Sequence, residues 1–283
     1  MASLRTVLLW TLAFLLMAAA AIHQRRTGPT HPKRGEFSWN GQVHTYRLLR
    51  SQERPAGATI QVPDPGGSVR GELVTRRYPT QEPWTALPMT RGEHRGRAVL
   101  TATLPVQPPA GKMEYQVRLL GGEQELRIPA TGTLVLRYKD PVPMWLLLCH
   151  VACMFLGMLV GIRTGLAAWW EPSRVRVHTL VTLGLLTLGG MVLGPFVQKH
   201  AFGAYWTGWP VGGDLTDDKT AVLWLAWVGA GVAVLWVRQR PRLVRGIVIV
   251  ATLVMLAVYL IPHSARGSQL DYQQGQVTTG RPG

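Results

Sequence analysis

Apolar and polar residues alternate along this chain in two different ways, and the change comes near residue 140. Between residues 35 and 140 the period is two. In residues 112–120, Met113, Tyr115, Val117 and Leu119 fall on one face, and Glu114, Gln116 and Arg118 fall on the other. That pattern marks a half-buried strand. Gly121-Gly122 predicts a turn, and residues 124–128 resume the alternation as a hairpin partner. Residues 41–49, 58–62, 69–77, 97–104 and 133–138 supply further strands, separated by turn clusters at residues 63–67 and 108–111.

After Asp140 the alternation gives way to unbroken apolar runs at residues 142–162, 177–197, 221–237 and 247–261. The first two are about 21 residues long, enough for a bilayer's hydrocarbon core; the last two are about 17 and 15. Four such runs in succession, each nearly free of charge, predict membrane-spanning helices. A further run, residues 7–22, precedes the β region. It reads as an uncleaved anchor, with a cleaved signal peptide as the alternative. The expected organisation is therefore residues 1–22 as anchor or signal, 23–141 as a β-sandwich, 142–263 as four membrane helices, and 264–283 as a polar tail, disordered from Gln273 onward.

About seven short strands with regular turns argue for an antiparallel sandwich of immunoglobulin or fibronectin type III kind. The only two cysteines, Cys149 and Cys153, lie in an apolar run, which excludes the antibody-type version with its intersheet disulfide. Trp84, the strand end at Leu104-Pro105 and Tyr115 opening a late strand resemble fibronectin type III modules. The resemblance covers about 100 residues and implies a recognition or spacer module.

Charge orients the chain. The formal net charge is +15, from 30 Lys and Arg against 15 Asp and Glu. The carriers are scattered or flank apolar runs and form no basic stripe with aromatics, which argues against nucleic acid as a partner. Arg163, Arg174 and Arg176 follow the first of the four runs, and Arg238, Arg240, Arg242 and Arg245 follow the third. The loop between these two, ahead of residue 221, carries Asp214, Asp217 and Asp218. Positive-inside then predicts a cytoplasmic N-terminus in a bacterial inner membrane, with the β domain and C-terminus periplasmic. Expected partners are the lipid bilayer and other membrane or periplasmic proteins.

Candidate chemistry concentrates in the outer loop, residues 199–220, rich in Gly and aromatics. Haem needs apolar, aromatic surroundings and an axial ligand, commonly His. His200 begins this loop, and His263 follows the last run on the same expected side. With Tyr205, Trp206 and Trp209, they would form a haem site. The loop resembles the Trp-rich loop of the haem-handling membrane proteins of cytochrome c maturation: Gly203 and Trp206 match, Phe202 stands where a Trp would be, Trp209 is one position late, and Asp214 is displaced further. The resemblance implies His200 and His263 as axial ligands. The alternative is that the aromatics form an interfacial belt and Asp217 and Asp218 favour a helix N-terminus. Asp214, Asp217 and His150 are candidate metal ligands, His150 because an ionisable residue inside a membrane helix asks for a function. Nothing in the β region spells a catalytic constellation, so a non-enzymatic role is expected.

Overall fold

The computed structural model describes residues 4–237, 239–262 and 266–279. The chain divides into two units: residues 30–141 with 269–278, and residues 1–29 with 142–268 and 279–283.

The first unit is β throughout. Its strands are β1 (Lys33–Trp39), β2 (Gln42–Leu48), β3 (Ser51–Glu53), β4 (Ala58–Pro63), β5 (Arg70–Tyr78), β6 (Thr85–Pro88), β7 (Thr90–His94), β8 (Arg97–Leu104), β9 (Lys112–Gly121), β10 (Gln124–Ile128) and β11 (Leu134–Lys139). One sheet has the order β3-β11-β9-β5-β6, and another has β4-β8-β7. Strand β5 covers one edge of β9 along its whole length. The other edge is shared: β11 pairs with its first half and β10 with its second. Strand β3 joins β11 in parallel, an exception among otherwise antiparallel pairs.

The expected alternation is what fills the core. Val117, Leu119, Leu73 and Leu136 from the larger sheet are buried with Ile60, Val62, Leu100 and Leu104 from the smaller one. Two tyrosines bring hydroxyls into this core, and both hydroxyls have partners, as burial demands. Tyr115 donates to the Leu49 carbonyl at 2.6 Å. Tyr138 donates to the Leu104 carbonyl at 3.2 Å and accepts from the Ala58 amide at 3.3 Å.

Four strands go beyond the sequence expectation. Strands β1 and β2 form a hairpin around Asn40-Gly41, both at positive φ, the turn that two-residue hairpins favour. Strand β7 is exposed at every residue, so no apolar alternation announces it. Strands β3 and β6 are only three and four residues long. Trp84 is a correction: it lies exposed outside the core, with the Arg76 guanidinium 4.4 Å from its ring centroid. The buried tryptophan of this unit is Trp39. A second correction concerns the tail. Strands β12 (Ser268–Asp271) and β13 (Gln276–Thr279) form a hairpin where disorder was expected. Tyr272 holds it to β9: its hydroxyl donates to the Lys112 carbonyl at 2.9 Å and accepts from the Lys112 amide at 3.0 Å. The hydroxyl stands where a neighbouring strand's peptide would be.

The second unit is helical. It contains α1 (Leu4–Thr27), α2 (Met144–Trp170), α3 (Val175–Leu186), α4 (Gly194–Phe202), α5 (Leu215–Trp236) and α6 (Pro241–Leu260). Helices α3 and α4 form one continuous rod through a π-helical turn, Thr187–Leu193. Five helices are thus long and apolar enough to cross a membrane, and the chain is a membrane protein. Small residues let the rods approach. A Cβ on Gly161 of α2 would lie 2.7 Å from Met255 Cε on α6 and 3.0 Å from Trp227 on α5. Helix α1 packs on α2 and α6 with Ala13 fully buried, and the Gln24 side chain donates to the Tyr259 carbonyl at 3.1 Å.

Candidate functional site

The loop between α4 and α5 is built around one threonine. Gly203, at φ +88°, ends α4 in the left-handed conformation, and its amide donates to the Lys199 carbonyl. The chain then turns back to meet the start of α5. Asp214 caps that helix by accepting from the Thr216 amide at 2.8 Å. Asp217, in the first turn, accepts from the Thr207 and Gly208 amides at 2.7 and 3.0 Å. Asp218 accepts from the Trp209 amide at 2.6 Å. The helix start thus supplies negative charge where its dipole favours it, and the same carboxylates close the loop. Gly208 must lack a side chain, because a Cβ there would lie 2.6 Å from Asp217 Cβ.

At the centre, the Thr207 hydroxyl accepts from Gln198 at 2.8 Å and lies 3.1 Å from an Asp214 carboxylate oxygen. Ser268 donates to the same oxygen at 3.1 Å. Thr279 donates to the Thr207 carbonyl and accepts from the Gly213 amide, both at 2.9 Å. Lys219 is buried and donates to the Ile261 carbonyl at 2.6 Å. Asp214 and Asp217 are therefore joined, but by hydroxyls and amides that satisfy them. Among the described residues no group of three or more His, Cys, Asp or Glu is placed to hold a metal ion.

The aromatics sit differently. Trp209 is 78% exposed and Val211 77%, so the loop's tip is an apolar projection. Trp206 donates through its indole to the Trp209 carbonyl at 3.1 Å. Tyr205 meets Phe196 edge to face at 5.6 Å. His200 is exposed on α4, and His263 falls outside the described residues. Sequence reasoning found the carboxylates and aromatics but missed Thr207, Gln198, Ser268 and Thr279. Their hydroxyls and amide carry no signal in one dimension, since the last two come from a strand hairpin far along the chain.

Two more polar groups lie among the helices. Arg163 is 1% exposed, yet its guanidinium is only partly satisfied. It pairs with Glu171, which also accepts from Thr6 of α1 at 3.0 Å, and it lies 5.6 Å from the Trp10 ring centroid. The hydrogen bond from Arg163, ahead of that from Thr6, holds the Glu171 carboxyl below its ordinary range. His150, on α2, contacts the π-helical turn: its Nδ1 is 2.9 Å from the Gly189 carbonyl oxygen. Among known proteins, no family model, no curated protein and no solved structure matches this chain.

Proposed function

We propose that this chain is a non-enzymatic binding and assembly component of a bacterial inner membrane. Its β unit is an immunoglobulin- or fibronectin III-like sandwich held on the periplasmic side, and its helices pass through the bilayer. The strand order supports the fold reading. Sheets β3-β11-β9-β5-β6 and β4-β8-β7, with a parallel first-to-last pairing of β3 and β11, follow the crossed-over arrangement of such sandwiches. The loop arginines support the orientation.

One observation carries the binding role: β7 pairs with β8 along one edge only, and all of its residues face solvent. An exposed edge of this kind is a template for an extended segment of a partner, with main-chain hydrogen bonds supplying affinity. The test places a photocrosslinking residue at Gly92 in native membranes, with Gly122 in the β9–β10 turn as a comparison. Discrete adducts from position 92 and none from 122 are expected. Equal or absent crosslinking at both positions would overturn the edge as the recognition element.

A second reading makes the chain a haem- or metal-handling membrane protein linked to cytochrome maturation or respiration. It is favoured by the exposed Trp209 and Tyr205 on the loop that follows His200. Its test is an absorption spectrum of the detergent-purified protein, oxidised and reduced, beside a His200→Ala/His263→Ala variant. A Soret band lost in the variant supports haem; no band after added haem removes that reading.

A further inference from the structure

Where α2 packs on the π-helical turn, three soft or borderline donor side chains converge on one glycine. The His150 ring nitrogen Nδ1 is 2.9 Å from the Gly189 carbonyl oxygen. A Cβ on Gly189 would lie 2.8 Å from Cys153 Cβ and 3.1 Å from Met154 Sδ. One on Gly190 would lie 3.6 Å from the same sulfur. Residues 150, 153 and 154 are spaced to share a helix face. The π turn widens the facing helix there, a distortion found often at functional sites.

The chemistry of the three groups agrees. A carbonyl oxygen only accepts, so Nδ1 carries the ring proton and donates it. In the neutral imidazole, Nε2 then keeps its lone pair. A backbone carbonyl that fixes the tautomer in this way is the usual outer support of a metal-bound histidine. Cysteine and methionine add a thiol and a thioether, the donors that select monovalent copper. Charge makes the same selection. Copper(I) with one thiolate is neutral overall, whereas a divalent ion would leave net charge among membrane helices, where charge is costly.

We propose that His150 Nε2, Cys153 Sγ and Met154 Sδ form a copper(I) site inside the helical unit. As the ion binds, Cys153 loses its thiol proton to water, and the copper stays monovalent. Both cysteines are free, and Cys149 is exposed, away from the Gly189 contact, so it serves as the internal control.

The test uses the full-length, detergent-purified, reduced chain with copper(I) as the probe and bicinchoninate as the competitor. The wild-type chain is expected to hold about one copper(I) against the chelator. Cys153→Ala, Met154→Leu and His150→Gln are each expected to weaken binding about tenfold or more, while Cys149→Ser leaves it unchanged. X-ray absorption of the wild-type complex, which needs no variant to fold, should show sulfur and nitrogen neighbours. Complete loss of copper to the chelator, a shell of light atoms only, or dependence on Cys149 alone would overturn the site.

Discussion

Thr207 has one hydroxyl proton and sits among four polar neighbours, so its replacement separates packing from hydrogen bonding. Thr207→Val keeps the volume but leaves the Gln198 amide and an Asp214 oxygen short of a partner. Each unsatisfied buried group costs about 1–3 kcal/mol. A lowered thermal midpoint is expected in detergent, with Thr207→Ser restoring most of it. Equal midpoints for Val and wild type would mean that the loop is held by its backbone bonds alone. Tyr272 makes a pH prediction. Burial, chiefly, pushes its phenol up to about 12, from about 10 in an unfolded chain. The docked hairpin therefore keeps a proton that the released hairpin loses. Its contribution is complete below pH of about 10 and fades as pH rises through about 12. Amide exchange in residues 269–278 should accelerate across that window, and Tyr272→Phe should already be fast at neutral pH. At this scale the sequence showed candidate residues but not their partners. Asp214 and Asp217 read equally well as metal ligands or as caps, and only Thr207, Ser268 and the loop amides decide which they resemble.

Helix-to-helix contact in this protein depends on what glycine leaves out. Gly161 sits against Met255 and the fully buried Trp227, whereas nothing lies within 4 Å of a Cβ on Gly229 in α5. Gly161→Ala should cost about 1–3 kcal/mol through overpacking. Gly229→Ala should be neutral or stabilising, by up to about 1 kcal/mol, from helix propensity alone. Thermal unfolding of the two variants side by side checks the contrast; equal midpoints would show that the Met255 side chain simply yields. The spans themselves were legible because an apolar run needs no partner to announce it. Their ends were less so: α5 begins at Leu215, ahead of the expected residue 221, because Asp214 and the loop amides cap it. The seven strands that bury alternate residues were legible within a residue or so. Strand β7, with no buried face, and the hairpin at β12 and β13, held by Tyr272, were not.

For the whole molecule, arginine placement predicts sidedness. In a Cys149→Ser/Cys153→Ser background, Val211→Cys should react with a membrane-impermeant maleimide in spheroplasts, and Gln239→Cys only after lysis. The reverse pattern would invert the proposed orientation. The sequence by itself determined that the chain divides between two solvents, and which stretches belong to each, because period-two alternation and long apolar runs are local records of burial. Tertiary structure decided what those stretches do to one another. It tied the α4–α5 loop into a satisfied polar knot, recruited the C-terminal hairpin to β9 and gathered His150, Cys153 and Met154 around Gly189. Each of these rests on hydrogen bonds or contacts between residues distant in the chain, and such pairings leave no periodic trace along it.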